Sequence, residues 1–351
     1  MTARWMRWTA VSAAALAVAG CSDSSGPQDK GFDTRRVKDG VAVVEQVSAA
    51  PVLQSFRALG AEMGGSGISG SPAAERLMGA IQDLGALTLG NATGAQLVPV
   101  IRQGILGKTL VFDPAAGKYV VDPARAGAPA NGVRFILYET VEGGQPNPAK
   151  EVGFADLTDE KAGAANAAGL RFRVVSGDEV YLDYNFEVSG SIGAAQVKIK
   201  GFMADEEERV NFEIATTGQL FGRGGTNTLD ATLEVPSHNF KIVAKLSGPA
   251  GEAPGTSQVE LRVTAGSDVL VINATSSPSE VDARITVNGK LFATAKGNPT
   301  NPVIRGEGGR ELTADELQAL GAIVKFAQGV FEVLVGLLAP AGALLLIGLG
   351  L

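Results

Sequence analysis

The amino-acid sequence predicts an α+β chain that is mainly β. The expected form is a large antiparallel up-and-down meander, a curved sheet or half-barrel packed by N-terminal and C-terminal helices. Three observations carry this. The apolar period is helical near both ends of the chain and changes to two from about residue 108. Turn residues recur every ten or so positions along the alternating region. Strands never alternate with helices, so there are no βαβ units and no parallel sheet is expected.

Before the strands, Val41, Val44, Val47, Val52, Leu53, Phe56 and Leu59 are spaced for a helix, with Pro51 marking a break or a fresh first turn. The run Gly64 to Ser71 reads as a linker, and Leu77, Ile81 and Leu84 place a second helical stripe over 72–87. The helical segment as a whole spans 37–105. The meander spans 106–300. Its clearest strand is Glu179 to Ser189, where Val180, Leu182, Tyr184, Phe186 and Val188 alternate with polar partners. The pattern recurs seven times, down to Leu291/Ala293/Ala295. About ten strands are expected, more if 109–113, 118–122 and 132–139 join. Asn288-Gly289 between alternating segments is a strong hairpin signal.

The C-terminal region, 310–351, reads as an amphipathic helix and an apolar tail. Thr313 and Glu316 form a capping box. Leu317, Leu320, Val324, Phe331, Leu334 and Leu338 make one stripe. Pro340 is expected to end or kink a helix of about 26 residues, about 39 Å long. Such a helix can cover the apolar face of the sheet. Residues 333–351 carry no charge. Burial inside the domain and contact with a membrane both fit that run, although Pro340, Gly342, Gly348 and Gly350 argue against spanning.

Composition excludes several functions. The chain has 351 residues, 46 of them Gly, with one Cys and one His. One Cys forms no internal disulfide, and one His makes no multi-histidine metal site. The formal net charge is −7, which argues against nucleic acid as a partner. No cofactor is implied. Gly65-Ser66-Gly67-Ile68-Ser69-Gly70 spells G-x-G-x-x-G, but without a βαβ unit it reads as a linker. Asp205-Glu206-Glu207-Glu208 lacks the spacing of a calcium loop and reads as a solvated turn. His238 has no G-x-S-x-G partner, so a hydrolase built on it is a remote alternative. A membrane-spanning barrel fits poorly with 6% aromatics, because it needs aromatic girdles.

The first 36 residues are the most informative. Arg4 and Arg7 precede an uncharged, mostly apolar run from Thr9 to Ala19, the layout of a secretory signal over 1–20. The run ends Val18-Ala19-Gly20-Cys21. This resembles the lipobox of bacterial lipoprotein precursors: an aliphatic residue, two small residues, then Cys. The resemblance covers only the first 21 residues. It implies that Cys21 is diacylated on sulfur, becomes the new N-terminus and attaches the chain to a membrane. Two or three acyl chains suffice for stable anchoring, where one is marginal. Ser22, rather than Asp, follows the Cys, which favours the outer membrane over the inner. Cleavage leaves 28 basic and 37 acidic residues, a net of −9, so anchoring is covalent or hydrophobic rather than electrostatic. Residues 21–36 then form a polar tether.

The expected function is a membrane-anchored extracytoplasmic lipoprotein, non-enzymatic, with a scaffold or interaction role. The alternative is a carrier for a lipid or other apolar ligand. It rests on small inward residues in the late strands, Ala231, Ala244, Ala283, Ala293 and Ala295, which permit either close helix packing or an apolar groove. The 333–351 tail is a second candidate membrane contact.

Overall fold

A computed structural model describes residues 34–62, 81, 85, 101–140, 145–160, 167–191, 194–218, 225–249 and 255–349. Fifteen strands form one sheet: β1 (Lys108–Asp113), β2 (Lys118–Asp122), β3 (Gly132–Thr140), β4 (Pro146–Asp159), β5 (Ala167–Ser176), β6 (Glu179–Ser191), β7 (Ala194–Ala204), β8 (Arg209–Gly218), β9 (Thr226–Val235), β10 (Phe240–Pro249), β11 (Ser257–Ala265), β12 (Asp268–Ser276), β13 (Val281–Val287), β14 (Lys290–Gly297) and β15 (Val303–Gly306). From β3 to β15 each strand pairs antiparallel with the next in sequence. The other edge departs from a simple meander. β1 pairs parallel with β3, and β2 lies outside β1 as the edge strand. β2 and β15 do not pair with each other, so the sheet is open.

The antiparallel meander expected from the alternating period is therefore present, with more strands than that period shows. The segments 109–113, 118–122 and 132–139 do join the sheet. Pro146 and Pro148 obscure β4 in the sequence, since proline is confined to strand ends and edges. β12 was hidden because Val269, Leu270, Val271 and Ile272 are apolar on both sides. At the Asn288-Gly289 turn both residues have positive φ, 51° and 79°, as a type I′ hairpin requires.

Three helices are described. They are α1 (Thr34–Ser48), α2 (Pro51–Glu62) and α3 (Ala314–Leu349). Pro51 starts α2 at its first helical position, where its missing N–H costs no bond. Of the helix expected over 72–87, Ile81 and Gly85 are described, and both are helical and buried. The remainder of that segment and the linker at 64–71 lie outside the described residues.

The two N-terminal helices lie on the sheet and cross its strands in reverse order. α1 runs from β11 to β7 and α2 from β6 to β3. Arg36 lies over Gly266 in the turn after β11. Gly40 meets the ring of Phe240 on β10, where a Cβ would come within 2.4 Å of the ring. Gln46 Nε2 donates to Asp205 Oδ2 at 3.0 Å, in the turn after β7. On α2, Val52 lies beside Gly153 of β4, and Ser55 Oγ donates to the Tyr138 carbonyl of β3 at 2.6 Å. Val44, Val47, Val52, Leu53, Phe56 and Leu59 are all buried in the main core.

α3 forms a further layer. It packs mainly against α2 and less against α1. The C-terminal helix was expected to cover the sheet, but the N-terminal pair makes the closest approach to it. The helix also does not end at Pro340; it runs on to Leu349. Pro340 removes the helical donor for the carbonyl of Gly336. Arg57 of α2 occupies the space a Cβ on Gly336 would fill, bringing a guanidinium to that turn. Leu334, Leu338, Ala341 and Leu344 of the uncharged run are buried in the core. Among the described residues, no helix is long and apolar enough to cross a membrane.

The capping box forms as the sequence predicts. Thr313 N–H donates to Glu316 Oε2 at 2.9 Å, and Glu316 N–H donates to Thr313 Oγ1 at 3.3 Å. Arg310 adds a two-pronged bond to the same carboxylate, at 2.7 and 2.5 Å. That bond chiefly, against some burial and with help from Thr313, pulls the Glu316 carboxyl down to about 2.

Candidate functional site

The five alanines singled out in the sequence all face the core side of the sheet. Ala231 and Ala244 pair directly across β9 and β10, and Ala283 pairs with Ala295 across β13 and β14. Ala231, Ala244, Ala283 and Ala293 are no more than 5% exposed, and Ala295 is half-buried. Ala231, Ala244 and Ala293 belong to the same continuous core as the faces of α1 and α2. Their small side chains allow close packing on this face.

An open trough of about 980 Å³ lies on the other face, over the outer side of β9 to β13. Asp230, Lys245, Glu260, Asn273 and Arg284 stand in register across its floor. None of the five alanines lines it. The outer face is polar along much of the sheet. Arg134 and Asp156 pair at 2.7 Å across β3 and β4, and Arg171 and Asp183 at 2.6 Å across β5 and β6. Glu213 takes both Lys198 and Lys200, which holds its carboxyl below the usual carboxylate range despite partial burial.

His238 lies in the 3-10 turn between β9 and β10, and the structure gives it company the sequence did not reveal. Its Nε2 is 3.2 Å from Glu208 Oε1, while Ser237 Oγ donates to Glu208 Oε2 at 2.5 Å. A catalytic triad needs the imidazole between the hydroxyl and the acid. Here the acid is in the middle, and Ser237 is bonded to Glu208. The cluster ties the β7–β8 turn to the β9–β10 turn. Asp205 anchors the same corner. It accepts the amides of Glu207 and Glu208 at 3.0 and 2.7 Å, as well as the Gln46 bond. Burial works against its charge, but these three donors outweigh it and hold the carboxyl below its ordinary value. The acidic run is thus a turn that locks α1 to the sheet. Among the described residues, no group of three or more acidic, His or Cys side chains could hold a metal ion.

Cys21, the predicted lipidation residue, lies outside the described residues. The fold is an open fifteen-stranded meander under a helical layer. Comparison of the chain with protein-family models, curated proteins and solved structures finds no match.

Proposed function

We propose that this chain is a bacterial lipoprotein of the cell envelope, held to the outer membrane by acylated Cys21, with a non-enzymatic scaffold or interaction role. The observation that carries the reading is the lipobox Val18-Ala19-Gly20-Cys21, placed just before a body that folds from Thr34. The twelve residues 22–33 allow that body to stand up to about 40 Å from the anchor. Three features favour a scaffold over a carrier or a hydrolase. Ala231, Ala244 and Ala293 are packed within the core, charged and polar side chains stand across the floor of the trough, and Ser237 and His238 both bind Glu208 instead of each other.

Membrane fractionation with mass spectrometry of the N-terminal peptide tests the anchor. The wild-type chain is expected in the membrane pellet, released by detergent but not by salt, with a diacylglyceryl group on Cys21. Cys21→Ser is expected to abolish acylation and processing. An unchanged, membrane-bound and normally cleaved Cys21→Ser protein overturns the reading. Deletion of 333–351 then reports any hold exerted by the tail. Lipid extracted at close to one molecule per protein supports the carrier instead.

A further inference from the structure

The sheet ends on two unlike strands. β15 has four residues and follows Pro302, which has no N–H to offer. The N–H of Gly306, at its end, is already given to the Arg310 carbonyl at 2.8 Å, and Arg310 and Leu312 crowd that glycine. Short length, proline and a folded-back neighbour are ways a protein blunts a free edge.

β2 is one residue longer and, among the described residues, has neither the preceding proline nor the folded-back neighbour. Its five residues, Lys118-Tyr119-Val120-Val121-Asp122, contain no Pro or Gly and pair with β1 without a register break. The strand is also held firmly. The ring of Tyr119 lies 5.8 Å from both Phe112 and Phe135, and its hydroxyl donates to the Ile136 carbonyl of β3 at 2.9 Å. Val121 continues the core-side row of Phe135 and Leu110, and there the row stops. It is 40% exposed; among the described residues the other large hydrophobic left open to solvent is Val303, at the start of β15.

We propose that β2 pairs with β2 of a second copy of this chain, antiparallel about a two-fold axis through Val120. The strand is its own complement in that register. Lys118 faces Asp122 twice, Tyr119 faces Val121 twice, and Val120 faces itself. The core sides of the two sheets lie on one side, so the exposed Val121 is covered by its partner's Tyr119. Registers shifted by two in the pair sum keep the faces matched but set no lysine opposite an aspartate. Opposite charges directly across a ladder stabilise it, and like charges oppose it. Asp122 is oriented by its own turn, accepting Ala124 N–H at 2.9 Å and lying 3.5 Å from Arg125. Arg125 directs its fork to Glu151. The surface is small beside the roughly 800 Å² per partner of a standard interface, so a micromolar dimer is expected.

The test uses the full chain carrying Cys21→Ser, in mild detergent, so it does not depend on lipidation. That chain has no other thiol, and Val120→Cys adds one on the axis. Directly opposed strand residues have Cα atoms about 4.5–5.5 Å apart, within disulfide reach. Oxidation is expected to convert the Val120→Cys protein to a covalent dimer that reductant reverses. Analytical ultracentrifugation follows the non-covalent dimer. Lys118→Asp is expected to lower dimer affinity at least tenfold, and Lys118→Asp with Asp122→Lys to restore it. Circular dichroism confirms that each variant folds. A parent chain that stays monomeric at high micromolar concentration overturns the proposal. So does a dimer indifferent to Lys118→Asp, or a Val120→Cys protein that does not crosslink.

Discussion

The two halves of the sheet bury the same kind of face with different side chains. Under α2 the core rows are aromatic. Phe172 stacks on Tyr184 at 4.9 Å, and Tyr184 reaches Phe212 at 5.9 Å across Gly201, where a Cβ would strike the Tyr184 backbone. From β9 to β14 the core side carries alanines as well, at Ala231, Ala244, Ala283 and Ala293, beside Phe240 under α1. α1 is correspondingly small on its buried side, with Val37, Gly40, Val44 and Val47, whereas α2 brings Leu53, Phe56 and Leu59. The difference teaches that core volume is unevenly shared along this sheet. The halves should fail in opposite ways, one when a side chain is shortened and the other when one is lengthened.

The largest effect is expected in the aromatic half. Tyr184→Ala should cost about 3–5 kcal/mol by removing a fully buried ring, read as a lowered midpoint in urea unfolding. In the alanine half, Ala244→Leu should cost about 1–3 kcal/mol through overpacking of a buried site. A neutral or stabilising Ala244→Leu would break the comparison, since it would mean unfilled space on that face. Gly40→Val should behave like Ala244→Leu, because the new methyls meet the ring of Phe240, with a lower melting temperature as the readout.

Smaller effects sharpen the comparison through α3, which stands on α2 and so bears on the aromatic half. Thr313→Ala should cost about 1 kcal/mol by removing one member of the capping box. The weakest effect is a pH dependence. Because the Glu316 carboxyl is lowered in the folded chain, its contribution is fully present above the ordinary carboxylate range and lost as pH falls toward about 2. Much of it is screened by solvent at this surface site. A slight loss of helical circular dichroism between pH 4 and pH 2 is expected, and Glu316→Gln should abolish that dependence.

Much of the fold was legible in the sequence because alternation and capping are local signals. Val180 to Val188, Asn288-Gly289 and the Thr313/Glu316 box each declare their structure within a few residues. The missing pieces are non-local. Nothing near Lys108 says that β1 will sit between β2 and β3. Nothing in α1 says that Gly40 will meet Phe240. Glu208 lies 30 residues from His238, so their meeting depends on the lengths of β8 and β9 and the turn between them. The alanines lie on the inner face, as their alternation with polar residues implies, but what packs over that face comes from elements distant in sequence. The proposed lipobox is different again: a linear signal needs no fold, and the fold beyond Thr34 adds nothing to it.

The reversed crossing of α1 and α2 has a consequence for the order of folding. A meander joins neighbours in sequence, so the sheet can zip strand by strand with short loop closures. The helices cannot join at that pace. Gln46 and Asp205 are 159 residues apart, so in N-to-C synthesis α1 is made before the strands and docks only after β7 to β11 exist. Until then its valine face has nothing to cover it. A helix made before the strands is thus among the last elements to be secured, and the waiting time is set by delivery of the strands rather than by the helix itself.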